Sequence, residues 1–206
     1  MKKNFLVIGN PIDHSLSPKL HNYWIEKYKI DAVYEKKLLN KNQIEGFKLG
    51  LEETGLETKN KKVLVLGAGG VVPSIIVALK KMQNEKIYLS NRTELKATEQ
   101  KKNFPEIEII KWGEILDFDI IINATSIGLK EEDEININYQ QISKDKFFYD
   151  VIYNPPKTNF LKNAKKYGGT TRNGKMMFIY QAQKAFFIWH KVIPKIDSET
   201  INLLDV

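Results

Sequence analysis

The chain has 206 residues, of which 42% are hydrophobic, enough for a globular protein with a substantial core. The formal net charge of +7 comes from lysines that are scattered and interleaved with acids. This pattern is typical of a solvated surface and argues against a nucleic-acid partner. The absence of cysteine excludes disulfides and thiolate metal sites, and three histidines leave little for a zinc site.

The N-terminal region predicts neither a signal peptide nor a membrane anchor. Its apolar run covers only residues 5–8 and is closed by a Gly-Asn-Pro turn. No other stretch approaches the roughly 20 apolar residues that a membrane-spanning helix needs. We therefore expect a metal-free protein of the cytoplasm that does not bind membranes.

The first quarter of the chain predicts two strands separated by a helix. Residues 4–8 form the first strand in this interpretation, and Ser17-Pro18 starts the helix, with Ser17 as N-cap and Pro18 at the first helical position. A second strand follows at 33–37. A further helix is predicted over about 45–53.

From residue 61 onwards, strands and helices alternate. The segment KKVLVLGAGG predicts a buried strand that enters a glycine turn, and VVPSIIVALKKM predicts the helix after it. Further strands are predicted at KIYLSN, IEII, FDIIINAT and FFYDVIY, and helices at TELKATEQKK, TNFLKNAKKYG and KMMFIYQAQKAFFIWHKV. This alternation is typical of a doubly wound α/β domain with a parallel sheet.

The glycine turn between strand and helix has the composition of a pyrophosphate-binding loop. Gly67, Gly69 and Gly70 would let the backbone approach an anion, and the following helix N-terminus would supply free N–H groups and a positive dipole end. The pattern departs from GxGxxG, because Val72 stands at the third position. A tight connection without a ligand explains the same glycines.

The end of the next predicted strand carries an arginine where many dinucleotide-binding proteins have an acid. An acid there binds the ribose 2′-hydroxyl of NAD, whereas an arginine accommodates the 2′-phosphate of NADP. Here Arg92, one of two arginines in the chain, follows Asn91, and no carboxylate occupies the position. We expect NADP, although Asn91 to Thr93 would also serve as a turn with Thr93 as N-cap of the next helix. The two roles are compatible.

Six segments in this order resemble the shikimate dehydrogenase family: GNPIDHSLSPKLHN, GAGG, SNRTELKA, NATSIG, DVIYNPPKTNFL and NGKMMFIYQAQKAF. The resemblance covers nearly the whole chain. It implies a Rossmann-like doubly wound parallel sheet with a second α/β substrate domain. The implied activity is the NADP-dependent reduction of 3-dehydroshikimate to shikimate in aromatic amino-acid biosynthesis, with quinate as an open alternative. The chain would be a monomer or a homodimer.

The resemblance also implies roles for individual residues. The substrate contacts would be Ser15 and Ser17, which match paired serines that bind the substrate carboxylate, together with Tyr153, Gly174 and Gln181. The cofactor contacts would be Gly67, Ala68, Gly69, Gly70, Val71, Asn91, Arg92, Thr93, Lys96, Asn123, Thr125 and Val151. Each has a structural alternative: Ser17 as a helix cap, Tyr153 as a packed strand residue, and Gln181 as a polar position on a helix.

The family's two catalytic segments are missing from this chain. The family has a lysine in an Asn-Val-Thr-x-Pro-x-Lys segment and an aspartate in an Asn-Thr-Asp segment before a Gly-Phe helix. The helix start remains as Gly46-Phe47, but Gln43 stands where the aspartate would fall. Only about eight residues connect the second predicted strand to Gly46. We assign no catalytic residue. Either an internal segment has been lost, or the chain is a shortened relative that binds NADP without turnover.

Two domains follow from this interpretation. Residues 1–44 with 176–206 form a truncated substrate-binding domain, and residues 45–175 form the NADP-binding domain. The truncated domain is expected to have two strands, with the helix around Gln181 packed back against them. The competing hypothesis, from another class of protein, is a non-catalytic NADP-binding module or sensor.

Overall fold

A computed structural model describes residues 3–9, 15–38, 59–114, 116–141 and 146–205. The chain divides into two compact units. The first comprises residues 1–47 and 178–206, and the second comprises residues 48–177. Gln43 and the helix predicted over about 45–53 lie outside the described residues.

The first unit contains a parallel pair of strands joined by a helix. Strand β1 (Lys3–Gly9) pairs with β2 (Ala32–Leu38) from Lys3 opposite Ala32 to Gly9 opposite Leu38. Helix α1 (Ser17–Lys27) connects them, because parallel neighbours need a crossover. The unit also includes α5 (Lys175–His190) from Phe178 onwards, and α6 (Ser198–Asn202).

The start of α1 differs by one residue from the prediction. Leu16 is the N-cap, so the prediction that Ser17 caps the helix is wrong, and Ser17 is its first residue. The capping partner comes from the preceding serine, since the Ser17 backbone N–H donates to Ser15 Oγ at 3.3 Å. Pro18 is therefore the second helical residue and not the first, but it still lies in the first turn, where its missing N–H costs nothing.

Aromatic rings fill the core of the first unit around a buried histidine. The His21 ring stacks on Tyr34 at 4.3 Å between centroids, and Trp189 of α5 lies 5.3 Å away. Burial, and then the neighbouring His190, lower the pKa of His21 to about 3. Phe5 of β1 stacks on Trp189 at 4.8 Å, which confirms that α5 packs against the N-terminal strands.

The second unit is a six-stranded parallel sheet in the order β5-β4-β3-β6-β7-β8. Its strands are β3 (Lys62–Leu66), β4 (Lys86–Ser90), β5 (Glu108–Ile109), β6 (Ile120–Asn123), β7 (Phe147–Asp150) and β8 (Thr170–Asn173). Its helices are α2 (Val72–Lys81), α3 (Glu94–Asn103) and α4 (Asn159–Lys166). The first strand is central and the order runs outward in both directions, as in doubly wound dinucleotide-binding folds. The predicted fold class is confirmed.

Both faces of the central strands are buried. Val63 and Val65 of β3 face one core cluster, which includes Ile76 of α2. Leu64 and Leu66 face the other, which includes Phe160 of α4. Continuous apolar strands are what a parallel sheet covered on both sides requires.

Strand β8 was not predicted from the sequence. Its residues, Thr-Thr-Arg-Asn, are polar and half-buried or exposed, because β8 lies at the edge of the sheet and, among the described strands, pairs with β7 alone. The pairing of an edge strand depends on backbone hydrogen bonds, so its side chains carry little apolar signal.

Candidate dinucleotide-binding site

The residues predicted to bind the cofactor follow the carboxyl ends of adjacent strands. The GAGG turn follows β3, Asn91 follows β4, and the loop that begins at Ala124 follows β6. The chain leaves β3 for β4 on one side and returns to place β6 on the other. Ligands of open α/β sheets bind at such a switch point.

Gly67 is required where β3 and β6 come together. Its φ is +110°, and a Cβ there would lie 2.8 Å from the Ala124 carbonyl oxygen. Its N–H donates to the Ser90 carbonyl at 2.7 Å, while the Ala124 N–H donates to Leu66 O at 2.8 Å. Because Gly67 has no side chain, the carboxyl ends of β3, β4 and β6 can lie close together at one edge of the sheet.

The rest of the turn is open. A Cβ on Gly69 or Gly70 would meet nothing within 4 Å, and both residues are exposed. Helix α2 begins directly after Val71, its N-cap, and no side chain makes a capping hydrogen bond. The exposed backbone and the uncapped helix N-terminus together form a surface suited to a phosphate group.

Two basic side chains flank the end of β4. Thr93 is the N-cap of α3, as predicted, but its side chain makes no capping hydrogen bond. Asn91 fixes this turn, since its Nδ2 donates to the Thr93 carbonyl at 2.7 Å. Arg92 and Lys96 are exposed. Within the described ranges neither enters an ion pair, so both cations are available to an anion.

Asn123 ends β6 and is fully buried. Its Oδ1 accepts from the Thr125 N–H at 3.0 Å and from Thr125 Oγ1 at 2.7 Å, and its Nδ2 donates to the Ile127 carbonyl at 3.0 Å. Thr125 Oγ1 in turn accepts from the Ile127 N–H at 3.0 Å. The side chain of Asn123 thus shapes the loop after β6. Asn123 itself is buried, whereas Thr125 is half-buried.

A buried carboxylate that sequence reasoning did not single out lies beside Asn123. Asp150 ends β7, is 0% exposed, and accepts hydrogen bonds from Asn123, Ile152 and Thr158. Burial is the main cause that raises its pKa to about 6. The sequence carried a signal for this residue, because Asp150 is an acid at the end of an apolar strand. If such an acid is buried, it needs hydrogen-bond donors.

Val151 and Gly174 lie against each other after β7 and β8. A Cβ on Gly174 would overlap the Val151 carbonyl group. The Gly174 N–H donates to Ile152 O at 3.2 Å, and the Val151 N–H donates to Asn123 O at 3.0 Å. Backbone contact therefore connects the ends of β6, β7 and β8.

The predicted substrate contacts belong to different units. Ser15 is buried, and Ser17 and Gln181 are half-buried, all in the first unit. Tyr153 is half-buried and Gly174 is buried, both in the second unit.

The described part of the chain contains no group of three or more His, Cys, Asp or Glu residues that would hold a metal ion. None of its described helices combines the length and apolarity needed to cross a bilayer.

The fold and the glycine turn at the switch point place the second unit among dinucleotide-binding Rossmann domains. Two family profiles match the chain: the shikimate dehydrogenase substrate-binding domain over residues 7–60, and shikimate/quinate 5-dehydrogenase over residues 48–158. The chain belongs to the shikimate dehydrogenase family.

Curated relatives agree over the full length. The chain is 64% identical to a shikimate dehydrogenase (NADP(+)) of Pelagibacter ubique, with 100% of both chains covered. A shikimate dehydrogenase (NADP(+)) of Caldicellulosiruptor saccharolyticus is 31% identical, with 99% of this chain and 98% of the relative covered.

Solved structures show the same fold. The shikimate dehydrogenase of Aquifex aeolicus is 28% identical and superposes with a TM-score of 0.82, over 99% of this chain and 96% of that one. A shikimate dehydrogenase in complex with NADP+ is 25% identical, also with a TM-score of 0.82, over 99% and 95% of the two chains.

The alignment with the Pelagibacter relative is longer than this chain, as the predicted loss of an internal segment requires. It extends over 265 positions and covers both chains completely, which exceeds the 206 residues of this chain by 59. These positions of the relative have no counterpart here. Their location between β2 and Gly46 remains a prediction.

Proposed function

We propose that the second unit binds NADP(H) along the carboxyl edge of its sheet. The observation that carries this proposal is the open turn at Gly69 and Gly70, which leads into an uncapped helix at the switch point of the sheet. The pyrophosphate would bind there. The 2′-phosphate would bind Arg92 and Lys96, assisted by Asn91 and Thr93, because guanidinium recognises phosphate by bidentate hydrogen bonds.

The nicotinamide half would bind near the ends of β6 and β7. Thr125 and Val151 are the predicted contacts, and Asn123 would act through the loop that it shapes. The cofactor, when bound, supplies or accepts the hydride. Thr125 and Val151 would orient the ring.

The reaction would be the NADP-dependent interconversion of 3-dehydroshikimate and shikimate. Both curated relatives are named shikimate dehydrogenase (NADP(+)), which supports this assignment. The substrate carboxylate would bind Ser15 and Ser17. The remaining substrate contacts would be Tyr153, Gly174 and Gln181. Quinate, a related hydroxy acid, is the alternative substrate.

Turnover by this chain is expected to be slow. Reduction of a ketone needs a proton for the developing alkoxide, and the family's lysine and aspartate segments are missing. A positioned acid–base group typically contributes about 10²–10⁴-fold in rate. The remaining residues bind and orient the substrate, but equal binding of ground and transition states does not lower the chemical barrier.

The cytoplasm, where NADPH is available for biosynthesis, is our proposed location. The partners of the protein would be small molecules. We expect a monomer or a homodimer.

Two measurements test the proposal. Titration with NADPH, followed by cofactor fluorescence, should show saturable binding, tighter than for NADH. A steady-state assay with shikimate and NADP+ should show turnover well below that of the Pelagibacter relative assayed in parallel. Failure to bind NADPH would contradict the assignment, and binding without any turnover would favour a non-catalytic NADP-binding module.

A further inference from the structure

We propose that Asp150 is a positioning residue that ties together two loops at the cofactor edge of the sheet. The β6 loop comprises residues 124–130 and carries Thr125, and the β7 loop comprises residues 151–157 and carries Tyr153. This inference rests on the proposed function, since it explains why these two loops are held in a fixed conformation.

Three donors from different parts of the chain converge on the Asp150 carboxylate. Its Oδ1 accepts from the Ile152 N–H at 3.0 Å and from Asn123 Nδ2 at 3.1 Å, and its Oδ2 accepts from Thr158 Oγ1 at 2.6 Å. Ile152 lies at the start of the β7 loop and Thr158 directly follows its end. Both ends of this loop are thus held by one side chain.

Asn123 extends the same network to the β6 loop. The amide that donates to Asp150 also donates to the Ile127 carbonyl at 3.0 Å, and its oxygen accepts two hydrogen bonds from Thr125. Rotation of the Asn123 amide would therefore break contacts in both loops together. The carboxylate fixes its orientation, because only Nδ2 can donate to it.

The network carries a charge with no ion-pair partner among the described residues. The titratable groups that interact with Asp150 are the phenols of Tyr139 and Tyr149, whose pKa values burial raises, so both are neutral at physiological pH. The pKa of Asp150 is raised from 3.8 to about 6, mainly by burial. The folded state therefore prefers the protonated acid. The ionised form costs stability above about pH 6, and this cost disappears as the pH falls towards 3.8.

This cost separates a positioning role from a purely structural one. An uncharged side chain would hold the fold with less desolvation, whereas the carboxylate adds charge-assisted hydrogen bonds to the loops. If Asp150 serves the site, its neutral replacement should weaken cofactor binding without destabilising the unit. A purely structural residue would change both properties in the same direction.

The variant Asp150→Asn tests this directly, with Asp119→Asn as its matched control. Asp119 directly precedes β6, so it lies at the opposite end of the strand from Asn123, and its Oδ2 accepts from the Lys62 N–H at 2.8 Å. NADPH affinity and melting temperature are measured for both variants and the unaltered chain, at about pH 5 and about pH 7.5. Each variant is compared with the unaltered chain at the same pH, because a phosphate monoester itself titrates at about pH 6.

We expect Asp150→Asn to raise the Kd for NADPH about tenfold at neutral pH, since about one hydrogen bond to a charged group is lost from the site. Its melting temperature should equal or exceed that of the unaltered chain. The difference in Kd should shrink at the acid pH, where Asp150 is itself protonated. Amide hydrogen exchange should increase in both loops at neutral pH. Asp119→Asn should change neither affinity nor loop exchange.

Unchanged NADPH affinity and loop exchange in Asp150→Asn would overturn the inference, as would increased exchange in one loop alone. If that variant does not fold, Thr158→Val removes the 2.6 Å hydrogen bond and should loosen both loops. Loss of NADPH binding by the unaltered chain would instead contradict the proposed function. The exchange measurement would still test the connection between the loops.

Discussion

Replacement of Gly67 by alanine should unfold the second unit at a much lower temperature. The φ of +110° disfavours any residue with a Cβ, at a cost of about 1–2 kcal/mol. The added methyl group would also lie 2.8 Å from the Ala124 carbonyl oxygen, and such overpacking costs about 1–3 kcal/mol. The two costs together amount to about 2–5 kcal/mol, a large fraction of the stability of a typical domain.

Thermal unfolding, followed by circular dichroism, measures this effect. For a unit of residues 48–177, each kcal/mol corresponds to about 3–5 °C, so the melting temperature should fall by roughly 6–25 °C. The matched control is Gly70→Ala, because a Cβ there meets nothing within 4 Å. This control should melt like the unaltered chain but bind NADPH more weakly, since its methyl group would occupy the space of the pyrophosphate.

Two results would refute the reasoning. If Gly67→Ala melts within a degree or two of the unaltered chain, the close approach of β3 and β6 does not depend on glycine. If Gly70→Ala binds NADPH as tightly as the unaltered chain, the open turn does not face the cofactor.

Three further predictions concern the cofactor, turnover and acid stability. Arg92→Ala should weaken NADPH binding at least about tenfold and leave NADH binding unchanged, because a charge-assisted hydrogen bond to phosphate contributes about 1.5–3 kcal/mol. Lys101→Ala, near the C-terminal end of α3, the helix that follows Arg92, is the control. Equal loss of binding for both cofactors in Arg92→Ala would show a structural role. This chain lacks a segment that the Pelagibacter relative has. Insertion of that segment between β2 and Gly46, where we predict the loss, should raise shikimate turnover by about 10²-fold or more. An unchanged rate would place the defect elsewhere. The first unit should lose stability as the pH falls from 6.5 towards 3, because its folded state disfavours protonation of buried His21. Tryptophan fluorescence would follow this loss, which His21→Phe should reduce.

The periodicity and punctuation of the sequence determined most of the second unit. Apolar strands that end in glycine or polar residues, alternating with helices, predicted five of the six strands and all three α-helices that lie within the described residues of this unit. The chemistry of the cofactor edge was also readable, because Gly67 and Arg92 follow strand ends and the carboxyl ends of parallel strands meet at one edge. These signals are local, so they can be recognised without knowledge of the fold.

Only the tertiary structure decided which of these residues shape the edge and which are left open to a ligand. The sequence does not distinguish Gly67, which β6 encloses, from Gly70, which meets open space, because that difference depends on a strand more than fifty residues away. The burial of Asp150 likewise depends on donors from β6 and from the start of α4. The edge strand β8 was invisible for the same reason, since its backbone pairs with β7 while its polar side chains resemble a loop. Contacts between distant segments decide burial, and burial decides whether a polar side chain binds a ligand or holds the fold together.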